Sequence, residues 1–402
     1  MKNGIVIAGS GFSGMWSAIS AARAVSLAGR GNDVNITMVS PSPNLHIRPR
    51  FYETAFDEMT PDIAPLLAAV GVKHLCGTVE LIDTRKDNVV FKNSDGVSSA
   101  LSYDRFILAT GSQLYLPEIP GLKEHSFNVD QLHDAVTLDN HLRRLADLES
   151  TVARNTVVVI GGGFTGIETA LEIPQRLRTI FGNNQKTRVV VIEQSSEIGP
   201  TLGAGPRPLI QEAFTECGVE VMTSTGVKSI SSDAVITDAG VYIPSNTVIW
   251  TGGPRAQSLA QHIEGEHDRF GRVCADQYLR AQGVESVFVT GDMAMVAADD
   301  KGNIAAMSCQ HALSLGRVSG YNAAAELVGL PMHPYSQSKY VTCLDLGTWG
   351  AVYTEGWDRE VCMQRKEAKE LKQTINTQWI YPPEADRDAA FAVAAPDYVI
   401  VP

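Results

Sequence analysis

The chain has 402 residues, 44% of them hydrophobic and 19% charged, enough for two or three globular domains with a large core. A net charge of -12 without any dense Lys/Arg run excludes nucleic acid as a main partner, because phosphate backbones are held by clustered cations. No stretch reaches the roughly 20 uninterrupted apolar residues of a membrane-spanning helix.

Ile5 to Ala8 is predicted as a buried strand, so near the beginning that no targeting peptide is expected before it. It runs into Gly9-Ser10-Gly11-Phe12-Ser13-Gly14, with a small-residue helix expected over 17–28 and a strand over 34–39. Strand, glycine turn and helix in this order form a dinucleotide-binding fingerprint. Gly9 serves the tight turn, Gly11 the approach of a pyrophosphate, and Gly14 close packing of helix on strand. The residue ending the next strand usually holds a ribose with a carboxylate; here it is Ser40.

Phe106 to Ala109 reads as another buried strand, ending in Thr110-Gly111. Thr156 to Ile160 then opens a second unit, with Gly161-Gly162-Gly163-Phe164-Thr165-Gly166, a helix over 167–177 and a strand over 188–192. Glu193 ends that strand. A carboxylate there suits the 2′-hydroxyl of NADH and repels the 2′-phosphate of NADPH, so NADH is expected over NADPH. Strands follow at 234–237, 241–243 and 247–250, the last leading to Gly252-Gly253, and 286–290 ends in Gly291-Asp292. From about Pro334 a hairpin over 340–353 and a helix over 367–377 suggest a small third domain.

The six cysteines (Cys76, Cys217, Cys274, Cys309, Cys343 and Cys362) show neither Cys-x-x-Cys pairs nor ligand spacing. Free thiols in a reducing cytoplasm and no metal site are expected.

The order of these motifs resembles the two-dinucleotide-binding-domain flavoproteins, which include the pyridine nucleotide-disulfide reductases and the type II NADH dehydrogenases. The resemblance spans roughly residues 4 to 330. It implies an α/β fold of two Rossmann-like three-layer domains, the NAD domain inserted into a discontinuous FAD domain, with a small α+β domain at the end. The boundaries fall at 1–124 and 271–333 for the FAD domain, 125–270 for the NAD domain and 334–402 for the last. It implies FAD contacts from Gly9, Gly11, Phe12, Ser13, Gly14, Ser40, Arg48, Pro49, Ala109, Thr110, Gly111, Gly291, Asp292, Gln310, His311 and Ala312. NAD contacts would come from Gly161, Gly163, Phe164, Thr165, Gly166, Glu193, Gly252 and Gly253.

Disulfide reductases carry a redox cysteine after the first ribose position, and 40–53 has none, so that chemistry is not expected. Arg48-Pro49 resembles the flavin loop of ferredoxin-reductase-like members. Those continue to a lysine paired with a glutamate near the flavin; Glu53 stands at the lysine position, and Glu168 matches the glutamate. Arg48 or Arg50 could alternatively be a surface ion pair.

The Gly161 to Glu168 stretch and Val248 to Gly253 resemble the type II NADH dehydrogenases. Their Ala-Gln-x-Ala-x-Gln quinone motif is broken here by Met307 and His311. Glu168 and His311 are therefore the candidate catalytic side chains, His311 as a proton relay. The expected acceptor is quinone-like. A redox protein partner, or a slow NADH-responsive flavoprotein with a binding role, stays open. The helix at 365–379 carries Arg365, Lys366, Lys369 and Lys372, so peripheral contact with the inner face of the membrane, or a solvent-facing cover, are both open. An oligomer is not excluded.

Overall fold

The computed structural model describes residues 4–31 and 33–400. Two parallel sheets dominate it. The first has five strands, in the spatial order Val287–Val289, Arg105–Leu108, Ile5–Ala8, Ile36–Ser40 and Lys73–Cys76. The second has four: Val219–Met222, Arg188–Ile192, Thr156–Ile160 and Thr247–Trp250. Their central strands are apolar on both faces, as parallel strands covered by helices must be. The fold is α/β with Rossmann-like units.

Strand Val287–Val289 pairs with Arg105–Leu108 although the whole second sheet lies between them in sequence. The first unit is thus built from two separated stretches of chain. Its halves are joined by the helices Phe12–Leu27 and Cys309–Val328, which approach closely because small residues line the contact. A Cβ on Gly320 would collide with the Ser17 carbonyl oxygen. Ser17 Oγ instead donates to the Gly316 carbonyl, and Ser20 Oγ donates to that of Arg317. A short antiparallel pair, Ser112–Leu114 with Pro254–Ala256, links the two units.

Both glycine-loop helices start earlier than expected, at Phe12 and Phe164 rather than at residues 17 and 167. The second glycine of each loop is the extended N-cap residue, so the third glycine already lies inside the helix. Two three-stranded antiparallel sheets flank the parallel ones. One, Thr78–Asp83, Asn88–Lys92 and Ser98–Ser102, has no counterpart among the expected elements.

The last part is a three-stranded sheet, Val341–Asp345, Ala351–Glu355 and Glu360–Gln364, followed by the helix Arg365–Thr374 and a wider turn, Ile375–Trp379. The hairpin is as expected; the third strand is additional. The following tail folds back over the first unit, with the Ala394 carbonyl 2.9 Å from Ser20 Oγ and Arg317 Nε donating to the Val393 carbonyl. Among the described residues no helix is long and apolar enough to cross a membrane.

Candidate active site

The two glycine loops have one backbone geometry. Gly9 and Gly161 both have φ of +109°, a left-handed conformation that side chains rarely tolerate. Next in each loop, Gly11 and Gly163 face open space, with nothing within 4 Å of an added Cβ. Third, a Cβ on Gly14 or Gly166 would strike the carbonyl oxygen of the loop's own first glycine. Neither helix has a side-chain N-cap. Free N–H groups at a helix start, beside an open backbone, fit the pyrophosphate of a dinucleotide.

Beyond the loops the units differ. Ser40 is buried, and its hydroxyl donates to the Ser42 carbonyl at 2.6 Å and meets His74 Nε2 at 2.8 Å. Its polar capacity is taken up inside the protein. Glu193 is also buried, its Oε2 accepting from Gly162 N–H at 2.6 Å and its Oε1 from Ser195 N–H at 2.7 Å. The carboxylate therefore braces the second loop from behind.

Around the first loop, Ala109 donates its N–H to the Ala8 carbonyl, Gly111 faces open space, and Thr110 Oγ1 lies 3.5 Å from Met293 Sδ. Asp292 sits in the turn Gly291–Met293, accepting from Ser112 Oγ at 2.6 Å. Gly291 closes over buried Ser13, which therefore faces this turn. Arg48, next to Pro49 in the turn Arg48–Arg50, is no surface ion pair. Half-buried, it donates to Asp130 and to the Ser112 carbonyl and hydroxyl, and lies 3.9 Å from Asp292. Ser112 and Asp130 complete this cluster without belonging to any recognisable motif. Arg50 turns the other way, to Glu53 at 2.8 Å and the Tyr381 hydroxyl at 2.7 Å.

His311 is fully buried at the start of helix Cys309–Val328, with Nδ1 3.0 Å from Ser308 Oγ. Its ring packs against Tyr340, with centroids 4.9 Å apart, and Tyr340 stacks on Trp357. Burial above all, then the charges of Arg359 and Arg272, pushes His311 down to about 3. An imidazole shifted in this way is mostly neutral near neutrality. Its Nε2 is a buried polar atom without a protein partner, as is Thr290 Oγ1. Gln310 Oε1 accepts from Val341 N–H, tying this helix to the last sheet, and Ala312 is buried behind it.

Glu168 lies on the first turns of helix Phe164–Phe181, 3% exposed, with the half-buried Phe164 and exposed Thr165 before it. Its Oε1 is 2.8 Å from Lys372 Nζ and accepts from Asp345 N–H at 3.0 Å. Lys372, also buried, donates to the Cys343 carbonyl and lies 5.4 Å from the centre of the Phe164 ring. Burial pushes Glu168 up to about 7 against the pull of Lys372. Burial opposes the Lys372 ammonium as well, but Glu168 holds it above its ordinary range. A lysine does pair with Glu168, but it comes from the far end of the chain and not from position 53. A signal for it existed: Lys372 is four residues after Ala368 and three before Ile375, on the apolar stripe of its helix.

The other cations of that helix are also spoken for. Lys369 grips the Asp345 carboxylate at 2.6 and 2.7 Å, and Arg365 pairs with Glu212 and Glu216. Lys366 faces Glu370 at 3.6 Å. The helix packs over the second unit, and Lys366 stays exposed on its outer side. Near the second loop, Gly252 packs under the Trp250 ring, and Gly253 turns with φ of +56°. All six cysteines are free, and no metal-binding cluster of His, Cys, Asp or Glu occurs among the described residues.

The sequence profile of the pyridine nucleotide-disulphide oxidoreductases matches residues 3–316. The chain belongs to this family. An NADH dehydrogenase-like protein of Mycobacterium tuberculosis is 41% identical over 396 residues, covering 98% of each chain. Demethylphylloquinone reductase NdbB of Synechocystis is 29% identical over 357 residues, covering 87% of this chain and 85% of its own. Among solved structures, NDH2 of Plasmodium falciparum in complex with NADH superposes with a TM-score of 0.75 over 100% of both chains at 14% identity. That likeness extends the fold to the entire length, the C-terminal sheet and helix included.

Proposed function

We propose that this oxidoreductase takes hydride from NADH and delivers the electrons through FAD to a quinone-like acceptor. The observation that carries the reading is the pair of uncapped glycine loops of identical geometry, one in each parallel sheet. The full-length similarity to NADH dehydrogenase-like and quinone-reducing proteins supports it. FAD, when bound, supplies the two-electron chemistry between donor and acceptor.

The residues of the first unit would hold it, the Gly11 backbone and helix start facing its phosphates and Asp292 its sugar chain. Arg48 fixes the Asp292 turn through Ser112 and contributes positive charge there. In the second unit the Gly163 backbone would face the phosphates of NADH. Glu193 keeps that loop in shape and makes the ribose end acidic, which favours NADH over NADPH. Glu168 and Lys372 form a buried acid–base pair that can hold or release a proton without admitting water. His311, neutral, offers a hydrogen bond rather than a proton.

Anaerobic mixing of the flavin-loaded protein with NADH should bleach the flavin absorbance, and a soluble naphthoquinone should restore it. NADPH should act at least ~10-fold more weakly, the worth of one misplaced charge near 1.4 kcal/mol. A flavin that NADH leaves oxidised, or that only a redox protein re-oxidises, would overturn the reading.

A further inference from the structure

One short segment belongs to both units. Phe127 N–H donates to the Val248 carbonyl, and the Phe127 carbonyl accepts from Trp250 N–H, so the segment extends the second parallel sheet beyond Thr247–Trp250. Three residues later Asp130 stands in the first unit, among the groups around Asp292. Its carboxylate pairs with Arg48, and accepts from Leu114 N–H at 3.3 Å and from Gln131 Nε2 at 2.8 Å. Its carbonyl accepts from Arg48 Nε at 3.1 Å, and its N–H donates to Asn128 Oδ1 at 3.0 Å. The side chain is 13% exposed.

Arg48 therefore serves two carboxylates. Its Nε and Nη2 are taken by Asp130, which leaves Nη1 for the other side. There Nη1 reaches the Ser112 carbonyl and hydroxyl, both at 3.2 Å, and lies 3.9 Å from Asp292. The same hydroxyl donates to Asp292 at 2.6 Å. A forked guanidinium engaged on all its nitrogens has a fixed direction, here toward the Asp292 turn. One cation between two anions also leaves the corner net negative. A mechanical tie between the units has no use for this arrangement. The pair Ser112–Leu114 with Pro254–Ala256 already joins them, and apolar residues join buried elements as well as ion pairs do.

We infer that Asp130 is a positioning residue for the flavin: it aims Arg48 at the Asp292 turn and offsets its charge, holding the flavin's potential down. The inference rests on the reading above, in which Asp292 faces the sugar chain of FAD. A flavin gains negative charge on reduction, so cations beside it favour reduction and anions oppose it. Asp130 takes back part of what Arg48 gives. A flavin held lower is the stronger reductant, which favours delivery of electrons to the acceptor over their uptake from NADH.

The test is the midpoint potential of the flavin-loaded protein, read by photoreduction against a reference dye. The variants are Asp130→Asn, Arg48→Gln and Arg48→Lys, with the more exposed Asp134→Asn as control. Asp130→Asn keeps an acceptor for Leu114 N–H and removes the charge. Its potential should rise by about 30 mV, tenfold in the ratio of reduced to oxidised flavin for a two-electron couple. Arg48→Gln should lower the potential by a similar amount, Arg48→Lys should return most of the wild-type value, and Asp134→Asn should leave it unchanged. Rates should divide with the same signs. Asp130→Asn should be reduced faster by NADH and re-oxidised more slowly by a soluble naphthoquinone, and Arg48→Gln the reverse. Loss of a merely structural tie would move both variants the same way. Potential shifts of one sign, or an Asp130→Asn potential equal to wild type, would overturn the assignment. Should Asp130→Asn be purified without flavin, the two Arg48 variants decide, and a wild-type potential in Arg48→Gln overturns it. If wild-type flavin ignores NADH, the reaction assigned above fails instead, and the dye-referenced potentials still judge Asp130 by themselves.

Discussion

The two glycine loops are the same object up to their third glycine and different objects afterwards. In both, a left-handed first glycine, an open second and a tightly packed third give an uncapped helix start. Behind the second loop a buried carboxylate, Glu193, takes the N–H of the middle residue, Gly162. Behind the first, Ser40 turns away to Ser42 and His74, and it is the loop's own Ser10 hydroxyl that reaches that side, 3.2 and 3.0 Å from the Ser42 and Asn44 carbonyls. The first loop is also held by its surroundings, with Gly291 closing on Ser13 and helix Cys309–Val328 pressed against its helix. One loop is thus tied by a buried carboxylate, the other by its own serine hydroxyl and by a stretch of chain that returns much later. The same backbone can be held by a buried carboxylate or by a loop hydroxyl together with a remote helix.

The severest way to break this equivalence is at the third glycine. Gly14→Ala and Gly166→Ala each drive a Cβ into a backbone carbonyl that cannot move without reshaping the turn. Each should cost on the order of 4 kcal/mol or more, the range of strained-backbone substitutions. The consequences should separate: Gly14→Ala should be purified without flavin, while Gly166→Ala should keep flavin and lose reduction by NADH. Absorbance spectra of the two purified proteins decide this; loss of flavin from both would show that the units are not independent.

How much of this was legible beforehand follows from how far apart the partners lie. The strands Thr156–Ile160 and Arg188–Ile192, the glycine turns and the hairpin are local patterns, and the structure has them where spacing and hydrophobicity put them. The helix starts were misplaced because glycine reads as a breaker, although here the third glycine is a helical residue in both loops. The sheet over residues 78–102 was missed because its strands are half exposed and its first pair carries a bulge. Lys372 was hidden by distance along the chain: its partner Glu168 belongs to another unit, and nothing local names the pairing. Ser40 illustrates the converse, since its position suggested a ribose contact while its hydroxyl is satisfied by its own neighbours.

Acidity separates the two units in the next largest degree. His311, beside the first loop's helix, sits at about 3 when folded against an ordinary 6.5. The unfolded chain therefore binds the extra proton first, and stability present above pH 6.5 is lost as pH falls toward 3. The whole effect is on the order of a few kcal/mol. Glu168, beside the second loop, is shifted the opposite way, from 4.5 to about 7. Here the folded state holds the proton longer, so its contribution declines as pH rises from 4.5 to 7. Urea melts across this range should show His311→Gln flattening the acid limb. Glu168→Gln should flatten the slope between pH 4.5 and 7. The same pH profile for both variants would sink the distinction.

Removing the brace should have a smaller effect, confined to one side. Glu193→Ala leaves Gly162 and Ser195 N–H groups without their acceptor, which costs about 1–3 kcal/mol when such groups are buried. The KM for NADH should rise about 10-fold or more while flavin content stays full, because the second loop loosens and the first is untouched. Titration of the bleaching amplitude with NADH measures this. Preserved affinity would mean that the Gly161–Gly166 loop keeps its shape without Glu193.

Ser40→Ala gives the matching substitution on the first side, and the smallest expected effect. The hydroxyl donates to one carbonyl and meets one imidazole, His74, which burial pushes below its usual range. Losing a neutral hydrogen bond of this kind costs about 1 kcal/mol, a shift of a few degrees at most in Tm for a chain this long. Because Ser40 is turned inward, flavin affinity and the KM for NADH should both stay at wild-type values. A clear loss of flavin would instead show that the hydroxyl leaves Ser42 for the adenosine ribose when the cofactor binds. The first unit would then have its own version of the Glu193 role, and the asymmetry between the loops would vanish. Equal flavin affinity, set beside a Glu193→Ala that weakens NADH, keeps it: one loop leans on the side chain that ends its neighbouring strand, the other does not.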